Sequence, residues 1–332
     1  MSRARLGGII LLVLLVAGLG GLGFLYLGPG PQAARGNATT VILQKGSGIG
    51  GVARSLKAAG VIRSQTLFML MAKLTAGAKL KAGEYAIRSG ESMAGVISDV
   101  KAGRVVRHFI TIPEGWTSQM AADAVNAAPW LVGHAEPPPE GAILPDTYQV
   151  QRGDDRAKVI RRMEAARDVL LKALWAHRAP DLPLKTPEEA VTLASIVEKE
   201  TAIPAERPRI AAVFENRLKA GMRLESDPTV IYGVSGGVPL GRGISLGDLA
   251  SGTPYNTYQI AGLPPTPIAN PGRAALAAVL NPPQTRELYF VANGTGGHSF
   301  ASTFEEHQTN VAHWREIEKQ RAAAGPVQGA AR

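Results

Sequence analysis

The sequence predicts an α+β fold in three parts: a single N-terminal transmembrane helix, a small β-α-α-β domain and a larger mixed α+β domain. Three observations predict it. Residues 6–27 carry no charge and are dominated by Leu, Ile, Val, Gly and Ala. Residues 39–87 place two amphipathic helical patterns between two strand candidates. From residue 156 onward the helical patterns lengthen and carry explicit caps, and a Gly-rich hairpin precedes the last one.

The 332 residues allow two or three modest domains. Apolar content of 45% and charged content of 19% exclude a disordered chain and a polytopic membrane protein. At ~1.5 Å per residue, the run 6–27 can cross a hydrocarbon core of ~30 Å. Arg3 and Arg5 precede it, so residues 1–5 are expected to stay cytoplasmic, with 6–28 as a single-pass anchor in the inner or plasma membrane. Everything after it is then extracytoplasmic. A cleaved signal peptide competes, but its apolar region is usually only ~7–15 residues. Gly28-Pro29-Gly30-Pro31 also lacks a small-x-small cleavage site.

No cysteine is present, which excludes disulfides, thiol nucleophiles and Cys-ligated zinc. The net charge of +9 raises the question of nucleic acid. No RNP, zinc-finger or basic-helix pattern accompanies it, and a basic surface facing anionic lipid or cell-wall polymer explains the charge as well.

Residues 29–38 read as a Gly/Pro/Ala linker. Domain 39–104 follows. Thr39 to Leu43 is a strand, and Ile49 to Ala59 a helix closed by Gly60. Ser64 caps a second helix, Ala82 to Ile87 returns as a strand, and Met93 to Val100 is a short helix ending near Gly103. Its size and order resemble a LysM-type glycan-binding module; a plain spacer domain fits them equally.

Segment 105–150 connects, with a strand expected over Val105 to Ile112 and a helix capped by Thr117. Residues 151–321 form the larger domain and 322–332 a tail. A basic helix runs from Arg156 to His177. Thr186, Pro187 and Glu189 open the best-specified helix as N-cap, first-turn proline and capping-box partner. It continues through Glu198-Lys199-Glu200, and Pro204 limits it. A helix over Ala205 to Ala220 stops at Gly221. Met222 to Pro282 is rich in Gly and Pro and reads as extended binding loops. Leu288 to Ala292 and His298 to Ala301 form a hairpin, and Thr303 with Glu306 caps the last helix.

No Gly-x-Ser-x-Gly elbow, P-loop or His-Glu-x-x-His motif is present, and His298 and His307 lack metal-pair spacing, so neither metal nor cofactor is implied. What remains is the carboxylate pair Glu198 and Glu200. At ~100° per residue the two point about 200° apart and cannot serve one site on the same helix face. Both continue apolar stripes: Val191, Ala194 and Ser195 for Glu198; Leu193, Ile196 and Val197 for Glu200. Either carboxyl, partly desolvated, would have a raised pKa, the property of a general acid. Periodicity does not choose between them.

The segment Leu193-Ala194-Ser195-Ile196-Val197-Glu198-Lys199-Glu200-Thr201 resembles the signature of the endolytic murein transglycosylase family (MltG, YceG-like). So do Val213-Phe214-Glu215-Asn216-Arg217-Leu218, Gly221-Met222-Arg223-Leu224 and Asp227-Pro228-Thr229-Val230-Ile231-Tyr232-Gly233. The likeness continues through Tyr255-Asn256-Thr257-Tyr258, Gly262-Leu263-Pro264-Pro265, Pro267-Ile268-Ala269-Asn270-Pro271-Gly272 and Gly297-His298-Ser299-Phe300. Leu144, where Phe is common, and Thr266, where Gly is usual, depart from the pattern.

The resemblance implies a lytic transglycosylase that cleaves the MurNAc–GlcNAc bond within nascent glycan strands, with the first glutamate of the pair, Glu198, as the catalytic acid. It would protonate the departing glycosidic oxygen and then deprotonate the muramyl C6 hydroxyl, leaving a 1,6-anhydro end. Water is not the nucleophile, so no second carboxylate is needed. Glu206 or Asp227 at a hydrolase-like distance would favour hydrolysis instead. Asn216, Asp227, Thr229, Tyr255, Asn256 and Thr257 can hydrogen-bond sugars, and Tyr232 and Tyr258 can stack on them. Bracing of the Pro-rich loops is the equal alternative for each. Glu200 reads as a helix-end residue and His298 as part of the site rim. The family association suggests membrane-bound peptidoglycan synthases and division proteins as partners. A wall-binding scaffold without turnover and a muramidase are the alternative functions.

Overall fold

The computed structural model describes residues 3–77 and 79–324. The tail expected at 325–332 and residues 1–2 lie outside the described residues, as do the side chains of Arg3 and Arg5. The chain forms two compact units. The first comprises Met1–Phe109, Trp130–Val132 and Gln149–Asp154, and the second Ile110–Pro129, Gly133–Tyr148 and Asp155–Arg332.

In the first unit, α1 (Arg3–Leu27) is the apolar helix. Its span Gly7–Leu27 has a mean hydropathy of 2.6 and none of it is buried, so it is long and apolar enough to cross a membrane. The antiparallel pair β1 (Ala38–Leu43) and β2 (Gly83–Arg88) encloses α2 (Ile49–Ala58) and α3 (Gln65–Ala76), and α4 (Met93–Ala102) follows. The predicted β-α-α-β order is therefore present. Ser64 caps α3 by accepting the Leu67 N–H at 3.2 Å. Val41, Leu43, Leu56, Phe68, Tyr85 and Ile97 fill the core of this unit.

Strand β3 is shorter than expected, His108–Thr111, and pairs with β4 (Thr147–Val150). In the second unit, α5 (Ser118–Ala127) is capped by Thr117, and α6 (Arg156–Ala176) by Asp155. Helix α7 (Pro187–Glu200) has Thr186 as its N-cap, as predicted. Glu189, however, takes the backbone N–H of Lys185 rather than that of Thr186. Helix α8 (Arg207–Lys219) follows.

Residues 222–282 differ from the expected loops. They contain α9 (Asp227–Ser235), α10 (Leu246–Leu249) and α11 (Arg273–Leu280). The last is built of Ala, Leu and Val and buries Leu276, Val279 and Leu280 against α7 and α8. Flanking Gly and Pro, read as loop signals, are here helix starts: Gly272 is the N-cap of α11, and Pro228 lies in the first turn of α9. The predicted hairpin is β5 (Tyr289–Ala292) with β6 (His298–Ala301), and α12 (Phe304–Ala324) closes the unit. Thr303 and Glu306 exchange side-chain and backbone hydrogen bonds at its start, as a capping box requires.

Candidate active site

From Ala190 to Val197 helix α7 is buried on every face, packed against α6, α8 and α11. Its last turn therefore carries two acids out of a core, and the structure gives them different surroundings.

Glu198 points at the start of α11. Its Oε2 accepts the Gly272 N–H at 2.9 Å, so it sits at the positive end of a helix dipole. Its Oε1 accepts from Arg207 Nη2 at 3.0 Å, and Glu114 flanks the same guanidinium at 3.4 Å. The segment delivering Gly272 is itself fixed. Ser195 Oγ accepts the Ile268 N–H, while Asn270 donates to the Trp116 carbonyl and accepts from the Ile143 N–H. A Cβ on Gly272 would stand 1.8 Å from Glu114 Oε1, so a larger residue there would displace the Glu114 side chain. Burial raises the pKa of Glu198, with the Gly272 N–H and Arg207 opposing it. Both oxygens of Glu198 are hydrogen-bonded, and only 4% of its side chain is exposed.

Glu200 faces a cavity of about 380 Å³ lined by Asp227, Tyr258, Phe290, His298 and His307 among others. Ser226 Oγ donates to its Oε2 at 2.9 Å. Burial pushes its pKa up to about 7; the Ser226 bond opposes this, the Asp227 charge adds to it, and His298 and Arg217 oppose it. A carboxyl poised at neutral pH beside an open cavity is the arrangement a general acid needs.

Of the residues expected to bind sugar, Asp227 lies in this cavity and accepts the Tyr258 hydroxyl at 2.7 Å. Thr229, Asn256 and Thr257 are fully buried and hydrogen-bonded internally, the arrangement expected of the bracing alternative. The Thr229 and Thr257 hydroxyls pair at 2.8 Å, and Asn256 Nδ2 donates to the carbonyls of Leu249 and Ser251. Asn216 likewise ties α8 to the carbonyls of Thr285 and Glu287. Tyr232 and Tyr255 pack edge to face at 4.9 Å, and their hydroxyls bond Glu140 and Thr266. They are not among the residues lining the cavity. Thr266, a departure from the family pattern, thus serves Tyr255, and Leu144 is simply core. Glu206, one of the two acids that at a hydrolase-like distance would favour hydrolysis, bonds His298. Nothing in the sequence marked Arg207 and Gly272 as partners of Glu198, because helix start and helix end meet only in the fold. Among the described residues, no cluster of three His, Asp or Glu could hold a metal ion.

Comparison with known proteins agrees with this architecture. The YceG-like family model matches residues 41–313. An endolytic murein transglycosylase of Bacillus subtilis (strain 168) is 28% identical over 80% of this chain and 81% of its own length. One from Streptococcus pneumoniae (strain D39) is 29% identical over 82% of this chain, which spans 58% of that longer relative. A crystal structure of a yceG-like protein from Listeria monocytogenes superposes with a TM-score of 0.51 at 29% identity, covering 83% of this chain and 99% of that one. With its family match running from the first core strand into the last helix, the chain belongs to the YceG-like family.

Proposed function

We propose that this chain is an endolytic lytic transglycosylase of peptidoglycan, with Glu200 as its proton donor. Endolytic murein transglycosylases are the relatives it matches over most of its length. The observation that carries the residue assignment is the cavity-facing carboxyl of Glu200, held near neutrality by burial. The family resemblance pointed to the first glutamate of the pair, Glu198. Its ion pair with Arg207 and its place at the N-terminus of α11 support a positioning role for it instead.

The chemistry needs one acid and no water. Glu200 protonates the oxygen between MurNAc and GlcNAc as oxocarbenium character develops at C1. The muramyl C6 hydroxyl then gives up its proton to a base as its oxygen closes on C1, and a 1,6-anhydro end results. Tyr258 and Asp227 offer a ring face and a hydrogen-bonding edge beside the acid. In this reading α1 holds the enzyme at the outer face of the cell membrane, where nascent strands emerge, and the activity ends their elongation. Membrane-bound synthases and division proteins are its proposed partners. The β-α-α-β unit serves as a LysM-like grip on glycan.

The test is to incubate uncrosslinked glycan strands with the detergent-solubilised chain and analyse the new ends by mass spectrometry. Anhydro-muramyl ends are expected. Reducing ends would mean a muramidase, and intact strands a scaffold without turnover.

A further inference from the structure

His298 opens β6 and lines the same cavity as Glu200. Its surroundings are built rather than incidental. Glu206, at the head of α8, accepts the His298 backbone N–H at 2.8 Å and lies 2.8 Å from Nδ1. Thr201 Oγ1 donates to the same carboxylate at 3.4 Å. Burial raises the pKa of Glu206, but the two bonds to His298 outweigh it and hold the group below the usual carboxylate range. A carboxylate facing Nδ1 keeps a proton on that nitrogen, so the neutral ring presents Nε2 as an acceptor.

The ring is also fixed in space. Phe290 meets it edge to face at 5.3 Å and Phe300 at 6.4 Å. Gly297 makes room for the arrangement, because a Cβ there would stand 2.5 Å from Glu206 Oε1. A buried acid, an oriented imidazole and a shared cavity are more than a single-acid mechanism uses. Asp227, Glu225, Arg217, Tyr258 and His307 are the other titratable or charged groups around the cavity.

We propose that His298 is a catalytic base for the ring-closing step, with Glu206 as its positioning residue. Glu200 gives its proton to the glycosidic oxygen, the C1–O bond breaks and GlcNAc departs with a free hydroxyl. The C6 oxygen forms its bond to C1 while its proton passes to His298 Nε2. The imidazolium then returns a proton to the Glu200 carboxylate, which restores both groups with no water consumed. The division of labour leaves Glu200 on the departing glycosidic oxygen while the imidazole takes the proton of the C6 hydroxyl, which closes on the same face of C1. It rests on the reading of Glu200 as the acid and of anhydro ends as the product.

The experiment uses the full chain in detergent with uncrosslinked strands, comparing wild type, Glu200→Gln, His298→Gln, His298→Ala and Glu206→Gln. His298→Gln is expected to lower kcat by about 10²-fold or more with KM little changed, in the range of general base catalysis. Its residual product should shift toward reducing ends, as water captures C1 when the C6 hydroxyl is not deprotonated. Added imidazole should restore part of the rate to His298→Ala. Glu206→Gln should lower kcat by about tenfold, and ¹⁵N spectra should show the wild-type ring protonated at Nδ1 and that preference lost in the variant. Where His298→Gln melts at assay temperature, the Glu206→Gln rate and the ring spectra decide. Wild-type kcat in either variant with anhydro ends intact, or a ring protonated at Nε2, overturns the proposal while leaving the Glu200 reading standing. An undiminished rate in Glu200→Gln would instead remove the reading beneath it.

Discussion

The two faces at the end of α7 carry the same side chain and opposite environments. Glu198 meets a guanidinium and a helix N-terminus, while Glu200 meets one serine hydroxyl and a cavity. Both are withdrawn from bulk water and both have raised pKa values. What separates them is compensation. Every oxygen of Glu198 is matched by a donor, which suits a residue that fixes structure. Glu200 keeps one oxygen for whatever enters the cavity. The first unit adds a further contrast in Glu84, a carboxyl with 8% exposure. There, bonds with His108 at 2.9 Å and Arg152 at 2.7 Å overcome burial and lower its pKa. Burial alone therefore does not make an acid; burial without full pairing does.

The largest effect should come from removing the acid. Glu200→Gln is expected to cost on the order of 10³-fold in kcat with the melting temperature held or raised, measured by strand-end formation and thermal unfolding. Glu198→Gln should do the reverse. It leaves the Arg207 charge without its closest partner, costing about 3 kcal/mol of stability by denaturant titration. A folded, stable Glu198→Gln with no activity would break the comparison.

The next effect concerns Glu215, a fully buried acid on α8 whose Oε1 has no partner and whose pKa burial pushes up to about 8. Its folded pKa lies above the unfolded value, so the native state binds the proton more tightly. Stability is then fully present below the unfolded value of 4.5 and falls as pH rises toward about 8. Glu215→Gln should remove this dependence. Its melting temperature at pH 8 should exceed that of the wild type, and the two should converge near pH 4, with a gap on the order of 5 °C at pH 8.

Smaller still is the loss from Asn256→Ala. It strands the carbonyls of Leu249 and Ser251, at a cost of about 2 kcal/mol, with KM for glycan unchanged because the side chain is buried. A raised KM at unchanged stability would return Asn256 to the binding surface. The smallest effect is that of Thr186→Ala at the far end of α7, about 1 kcal/mol from the lost cap and nothing in kcat.

Much of the fold was legible from local chemistry. Thr186, Ser64, Thr117 and Thr303 all cap the helices they were expected to cap. The hairpin over β5 and β6 followed from its glycines. Helices α9 and α11 were hidden because Pro228 and Gly272 read as loop residues when they are helix starts. The site was legible only to the level of a pair. Both acids extend apolar stripes, so the choice between them depends on Arg207 and Gly272 on one side and on Ser226 and the hairpin on the other. Those partners arrive from α8, the start of α11, the approach to α9 and β6. No spacing along α7 encodes them. His298 was visible as a rim residue, but its bond to Glu206 spans 92 positions of chain.

The central claim is that the proton donor is Glu200. It is tested most directly by the rate of anhydro-end formation across pH 5 to 9 for wild type, Glu198→Gln and Glu200→Gln. The account predicts that wild-type kcat falls as pH rises through about 7, where the Glu200 carboxyl gives up its proton. Glu198→Gln should keep that falling limb, and Glu200→Gln should be inactive throughout. Activity in Glu200→Gln with the falling limb intact, together with its loss in a folded Glu198→Gln, would contradict the account.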